Sequence, residues 1–264
     1  MIHQIDTLDD SRVDAFRRVG DPAWLRSQEL FVAEGRLLVE RLVLAGQYEI
    51  DSVLLTPPAL AALQPLVARL ECSVYVAAQG LLNGITGFNF HRGCLALARR
   101  PVPHTLPTFF ACRRLLGLEG IGNPDNIGGL FRSAAAFGAD GVVLDESSAD
   151  PFYRKALRTS AGAILRVPFS RVAEWPGACA EFQQNGFLAV ALVTDPLATR
   201  IDAFASNASR HHRVALLVGA EGSGLTSATI EAADVRVTIP MAGGTDSLNV
   251  AVAASVAMSW LWKG

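Results

Sequence analysis

The 264-residue chain has no Cys-x-x-Cys pair, no excess of basic residues and no apolar run long enough to cross a membrane. Its four cysteines, Cys72, Cys94, Cys112 and Cys179, are scattered and have no paired histidines nearby. That excludes the common zinc spacings and a disulfide framework. Reduced thiols in a cytoplasmic compartment are expected, with no bound metal. Cys112, beside Arg113 and Arg114, reads as a mildly reactive thiol or as a buried strand cysteine. The apolar stretch Val250 to Trp262 is interrupted by Ser255 and Ser259 and falls short of the roughly 20 residues of a membrane span. The opening Met1-Ile-His-Gln-Ile-Asp6 lacks the basic-then-apolar pattern of a secretory signal, so a soluble protein is expected.

The formal net charge of −2 lacks the bulk signature of a nucleic-acid binder. Basic residues nevertheless cluster. Arg12, Arg17, Arg18 and Arg26 lie near the start, His91, Arg92, Arg99 and Arg100 lie near residue 100, and Arg154, Lys155 and Arg158 form a third group. Each group reads as solvated surface or as phosphate contact, so the composition permits RNA without requiring it.

Half of the residues are hydrophobic, enough for a substantial core in one large domain or two ordinary ones. Thr7-Leu-Asp-Asp10 offers a helix start, with Val13, Phe16 and Val19 on one face. Strands are expected at Leu30–Ala33, Ile50–Thr56, Val74–Ala77 and Gly93–Ala98. Helices are expected from Glu34 to Ala45, ended by Gly46, and from Pro57-Pro58 to about Leu70. The proline-rich run around residues 101–108 reads as a linker. The expected organisation is a small α/β domain over residues 1–100 and a second α/β domain over 109–264. In the second, strands Leu115–Leu118, Gly141–Leu144, Phe187–Val193, Val214–Val218 and Val235–Ile239 alternate with helices, as in a mostly parallel sheet.

Three segments begin at or just past the ends of these strands, where open α/β sheets bind ligands. In Asn123-Pro-Asp-Asn-Ile-Gly-Gly-Leu-Phe-Arg132, Asn126 is placed to cap a helix running to Phe137, and Arg132 sits among apolar neighbours. In Leu217-Val-Gly-Ala-Glu-Gly-Ser-Gly-Leu-Thr226, the glycine spacing fits neither a dinucleotide fingerprint nor a phosphate loop. Glu221 between the glycines would repel a polyphosphate and suits a cationic or hydroxyl-bearing ligand. In Ile239-Pro-Met-Ala-Gly-Gly-Thr-Asp-Ser-Leu-Asn-Val250, Asp246 or Ser247 is the expected cap of the final helix. As plain structure the last two are a glycine turn and a strand-loop-helix.

In order and spacing the three segments resemble the motifs of the SpoU/TrmH-type RNA ribose 2′-O-methyltransferases of the knotted SPOUT superfamily. The resemblance spans about Phe109 to the C-terminus; Phe31-Val-Ala-Glu-Gly-Arg36 looks, more loosely, like the start of an RNA-binding accessory domain. It implies an S-adenosylmethionine (AdoMet) cofactor held by Leu217, Gly219, Glu221, Gly222, Ile239, Met241, Ser247 and Leu248. Catalysis would fall to Arg132 and Asn126 with Glu221, Ser247 and Asn249. Lys155, Arg158 and Ser160, in Asp150-Pro-Phe-Tyr-Arg-Lys-Ala-Leu-Arg-Thr-Ser160, would join Arg132 around the RNA. It further implies a trefoil knot and a homodimer joined through the final helix, and an accessory domain of this type leans toward ribosomal over transfer RNA. Base-nitrogen methylation, a non-catalytic RNA-binding or ribosome-assembly role and, more distantly, a nucleotide-dependent oxidoreductase stand as alternatives.

Overall fold

A computed structural model of the chain describes residues 1–89, 92–208, 213–243 and 247–262. His91 of the second basic group, and Gly244, Thr245 and Asp246 of the third motif, lie outside the described residues. The chain divides into two compact units, Met1–Val102 with Phe152–Leu165, and Pro103–Pro151 with Arg166–Gly264. Strands and helices are numbered along the chain.

The first unit holds a mixed five-stranded sheet in the order β1-β4-β3-β5-β2. Its strands are β1 (Ile2–Gln4), β2 (Leu30–Glu34), β3 (Ile50–Leu55), β4 (Ser73–Val76) and β5 (Cys94–Arg99). Its helices are α1 (Asp14–Arg17), α2 (Pro22–Ser27), α3 (Arg36–Ala45), α4 (Pro57–Val67) and α5 (Gln79–Thr86). Prolines open α4, and Gly46 ends α3 in the left-handed conformation at φ 68°, as the residue types require. Val13, Phe16 and Val19 are buried against Leu82, Ile85 and the face of β2 and β5.

Residues 152–165 belong to this unit although their neighbours in sequence belong to the other. Phe152 stacks on Phe31 at 4.7 Å, and Gln47 and Tyr48 both donate to the Leu165 carbonyl. Burial of the aromatic pair against β2 recruits the segment, a long-range effect with no local signature.

The second unit is built on a seven-stranded sheet in the order β10-β12-β9-β11-β6-β7-β8, every neighbouring pair parallel. The strands are β6 (Arg114–Glu119), β7 (Gly141–Asp145), β8 (Phe169–Val172), β9 (Leu188–Leu192), β10 (Thr199–Arg200), β11 (Val214–Gly219) and β12 (Val235–Thr238). Central β11 is buried at every position and β6 at all but its first, as expected for parallel strands covered on both faces. Helices α6 (Pro124–Ala136), α8 (Trp175–Gln184), α9 (Ile201–Ala208), α10 (Ser227–Ala232) and α11 (Val250–Leu261) accompany this sheet, while α7 (Arg154–Thr159) packs with the first unit. The proline run does not hang free: Leu106 and Phe109 are buried in the second unit's core, and His104 bridges to Ser170.

All four thiols are free. Burial pushes Cys94 up to about 12 and Cys179 to about 11. Cys112 is half-buried just before β6, and burial followed by the Asp140 carboxylate raises it despite Arg213. It is neither a strand residue nor an activated thiol. No helix among the described residues is long and apolar enough to cross a membrane.

Candidate active site

The three motifs meet at the carboxyl ends of β6, β9, β11 and β12. The loop after β11 is folded tightly back on itself: Gly224 N donates to Ala220 O at 2.9 Å. A Cβ on Gly219 would lie 2.1 Å from both the Gly224 carbonyl carbon and Leu225 N. Glycine is therefore the residue that fits here, for close backbone approach.

Glu119, the last residue of β6, anchors the exit of this loop. It is 7% exposed; its Oε2 accepts from Thr226 N at 2.9 Å, and its Oε1 accepts from the hydroxyls of Thr226 and Thr229 at 2.8 Å each. Thr226 in turn caps α10. A buried carboxylate with three donors is a satisfied group, and it fixes where the glycine loop ends. A glutamate at the end of an apolar strand was its one signal in the sequence.

The first motif folds differently from expectation at its start. The cap of α6 is Asn123, whose side chain accepts from Asp125 N at 2.9 Å, with Pro124 at the first helical position. Asn126 sits inside the first turn and is 6% exposed. The loop leading to α6 is held from below by the 145–149 turn: Ile121 N donates to Ser148 Oγ at 2.9 Å, and Ala149 N to Ile121 O at 2.8 Å. Arg171 braces that turn by donating to the carbonyls of Asp145, Ser148 and Ala149. Burial works to raise the Asp145 carboxyl, but hydrogen bonds from Ser147, Ser148 and the Gly120 N–H outweigh it and hold it below the ordinary value.

The helix after the third motif is capped later in the chain than expected. Ser247 is not the cap of α11; Asn249 is, its Oδ1 accepting from Ala251 N at 3.0 Å and Val252 N at 3.3 Å. The same side chain donates through Nδ2 to Asn126 Oδ1 at 2.9 Å and to Glu221 Oε1 at 2.8 Å. One amide thus joins all three motifs, and two backbone donors on one side with two oxygens on the other fix which way it faces. Beneath it α11 lies close on α6: a Cβ on Gly129 would be 3.0 Å from Ala251 Cβ, and Ser255 Oγ is 2.6 Å from Ser133 Oγ.

Beside this junction opens a cavity of about 680 Å³, within the range of small-molecule sites. Gly219, Glu221, Gly222, Ile239, Met241, Ser247, Leu248 and Asn249 line it. Leu217 does not; its side chain points from a central strand into the core. Val193 and Thr194, past β9, were not singled out in the sequence, although the rule that ligands sit at the carboxyl ends of strands points to them. Arg132 is exposed on α6, makes no hydrogen bond or ion pair among the described residues and does not line the cavity. Lys155 and Arg158 are exposed in the first unit. Ser160 is buried there, its hydroxyl donating to Leu157 O at 2.8 Å and accepting from Gly162 N at 3.2 Å.

The chain is similar to known proteins over nearly its whole length. An uncharacterised tRNA/rRNA methyltransferase of Mycobacterium bovis is 40% identical over 254 residues, covering 94% of this chain and 88% of that protein. An AdoMet-bound rRNA methyltransferase from Sinorhizobium meliloti has the same fold, with a TM-score of 0.83 at 22% identity over 98% of this chain and 97% of that one. The crystal structure of an RNA 2′-O ribose methyltransferase matches with a TM-score of 0.76 at 26% identity, covering 99% and 98%. Residues 113–259, which hold the whole of the site just described, match the SpoU rRNA Methylase family, and the chain belongs to that family.

Proposed function

We propose that the chain is an AdoMet-dependent enzyme that methylates the 2′-oxygen of a ribose in RNA, with ribosomal RNA the substrate ahead of transfer RNA. The observation that carries this reading is the Asn249 amide, which ties Asn126 and Glu221 together at the mouth of a cavity at the carboxyl ends of parallel strands. The AdoMet bound to the Sinorhizobium meliloti relative and the ribose chemistry named for the 26%-identical structure support it.

The lining suits AdoMet. Val193, Leu225, Ile230, Ile239, Met241 and Leu248 give apolar walls for a purine, and Glu221 with Ser247 adds groups for hydroxyls and a cation. When bound, AdoMet supplies a methyl group activated by its sulfonium. The chain must then deal with a weakly acidic ribose hydroxyl. Asn249 has spent both amide donors and both lone pairs on protein groups, so in this reading it positions Glu221 and does not itself grip the substrate. The Ser247 hydroxyl makes no hydrogen bond among the described residues and is available at the cavity. A guanidinium is a poor choice of base, so we assign Arg132 the role of a fixed cation bracing the developing alkoxide and a neighbouring phosphate.

The enzyme works as a homodimer in this reading. α11 exposes Val252 at 50% and Trp260 at 37% beside small residues, a surface suited to a second copy. α6 packs along α11, so Arg132 would stand beside that surface and serve the partner's cavity. β11 enters the sheet between β6 and β9, both formed earlier in the chain, and this late insertion supports a trefoil knot.

The test is nucleoside mass spectrometry of ribosomal and transfer RNA fractions from cells with and without the gene. Loss of one 2′-O-methylated nucleoside, at a linkage that resists alkaline cleavage in wild-type RNA, is expected. Loss of a base-methylated nucleoside instead would overturn the ribose assignment.

A further inference from the structure

The basic residues that cluster in the sequence have different fates. Arg12 pairs with Asp10, Arg17 with Asp14 and Arg18 with Asp21, while Arg99 faces Glu49 and Asp51. Those charges are neutralised where they stand. Around Glu34, at the end of β2, the first unit does something else. This carboxylate is 8% exposed, and three guanidinium groups converge on it: Arg154 Nε at 3.4 Å, Arg158 Nη1 at 3.9 Å and Arg92 Nε at 4.0 Å. Arg36, the first residue of α3, is exposed nearby and has no carboxylate partner among the described residues.

One carboxylate cannot satisfy three guanidinium groups, each with five N–H donors. The separations also exceed the roughly 2.7–2.9 Å of a charge-assisted hydrogen bond. Glu34 therefore gathers the arginines by charge and leaves most of their donors for another acceptor. Nη1 of Arg154, which lies over the Phe88 ring, is buried and has no hydrogen-bond partner among the described residues. Gly35, Arg36, Leu37, Arg92 and Arg158 border a cavity of about 380 Å³. The start of α3 forms one wall. Gly35 caps that helix at φ 94° with no side chain to satisfy the first-turn N–H groups, and its missing Cβ leaves room for Arg92, whose Cδ would be 3.0 Å away.

We propose that this pocket is a phosphate subsite that takes one backbone phosphate of the RNA substrate, an assignment that rests on the RNA-methyltransferase reading. Arginine forks and an uncapped helix start both favour a tetrahedral oxyanion, and the helix field adds to the arginine charge. Arg36, Arg92 and Arg158 are exposed along the cavity edge, so a polynucleotide strand can pass over it while one phosphate enters. Free inorganic phosphate has the same chemistry and is separated by the experiment.

The full chain is titrated into fluorescein-labelled fragments of ribosomal RNA at several KCl concentrations, with Arg36→Gln and Arg158→Gln variants alongside. AdoMet affinity by calorimetry serves as the control for an intact second unit. Each variant is expected to bind RNA roughly tenfold more weakly at about 0.1 M KCl, with the salt slope reduced by nearly one and AdoMet binding unchanged. Wild-type affinity and slope in both variants overturn the subsite while leaving the RNA reading intact. A wild-type chain that binds AdoMet and no RNA overturns that reading and this assignment with it. Heat from inorganic phosphate that disappears in Arg36→Gln, with RNA binding unaltered, assigns the pocket to free phosphate and overturns the RNA proposal. Should Arg158→Gln lose AdoMet binding as well, Arg36→Gln decides, because its side chain is exposed and holds no ion pair among the described residues.

Discussion

The Asn249 amide donates to Asn126 Oδ1 at 2.9 Å across 123 positions of sequence, and the same nitrogen reaches Glu221 at 2.8 Å. Its oxygen meanwhile caps α11. Two substitutions separate these duties. Asn249→Asp keeps an acceptor at the helix start, where negative charge is favourable, and loses both donated bonds beside Glu221. With the Asn126 oxygen unpaired and two carboxylates facing each other, it is expected to lose about 1–3 kcal/mol in urea and to lose methyl transfer almost completely. Asn249→Ala loses the cap, which costs about 1 kcal/mol, but sets no second charge against Glu221. Full activity in Asn249→Asp would sink the idea that the bridge orders the site.

Glu119 joins the loop after β11 to the end of β6. Glu119→Ala leaves the buried Thr229 hydroxyl and the part-buried Thr226 N and hydroxyl without their acceptor, so a loss of about 2 kcal/mol in urea unfolding is expected. AdoMet affinity should fall with it, because the carboxylate fixes the exit of the glycine loop. Weakened stability with unchanged AdoMet affinity would leave Glu119 a structural residue alone.

How much of this could be read beforehand depended on whether the cause was local. Central strands such as β11 announce themselves by continuous apolar runs, and Gly46 and Pro57 mark helix ends because their backbone chemistry leaves few alternatives. The edge strands β1, three residues long, and β10, two residues long, carry no period and exist through pairing with β4 and β12. The caps were misplaced for a similar reason. Asn123, Asn126, Ser247 and Asn249 are all acceptable cap residues, and only tertiary packing decides that Asn126 is buried under Asn249 while Asn123 and Asn249 cap. The place of the cavity was legible because strand ends and glycine turns locate it, while the residues named for its lining came from the family resemblance. Membership of residues 152–165 in the first unit was not, since it follows from Phe152 meeting Phe31.

Acid should weaken the fold partly through Asp145. Its carboxyl is held below the ordinary value, so it stabilises the folded chain above the unfolded pKa, near about 3.9. The contribution fades as pH falls through the lower folded value. Urea midpoints measured from neutral pH to about pH 3 should show Asp145→Asn destabilised at neutral pH and converging on wild type in acid. A constant gap across that range would assign the loss to packing instead of ionisation.

Gly219 is expected to tolerate no side chain. The Cβ of Gly219→Ala meets backbone at 2.1 Å, and backbone cannot swing aside as a flexible side chain can. A loss of about 3 kcal/mol, or failure to fold, is expected, with AdoMet binding lost in any soluble protein. A well-folded Gly219→Ala chain that binds AdoMet normally would mean that the loop closes differently from the geometry described.

Arg132 tests both the chemistry and the assembly. It is exposed on α6 and does not line the cavity of its own chain, so the role proposed for it at the ribose would be filled from a second copy. Arg132→Ala should lower single-turnover methylation by about 10²–10³-fold with AdoMet affinity unchanged. Arg132→Lys should recover part of that rate if a fixed charge suffices; complete loss in Lys, with RNA binding intact, would require the planar fork instead. Co-expression of Arg132→Ala with Asn249→Asp then decides where the guanidinium acts. If each cavity borrows Arg132 from its partner, a mixed dimer keeps one intact site, because the Arg132→Ala chain has a sound cavity and its partner a sound arginine. Random pairing makes half the dimers mixed, so activity should return to about a quarter of wild type from two nearly inactive chains. If Arg132 served its own cavity, each chain of the mixed dimer would carry one defect in its own site, and no activity would return.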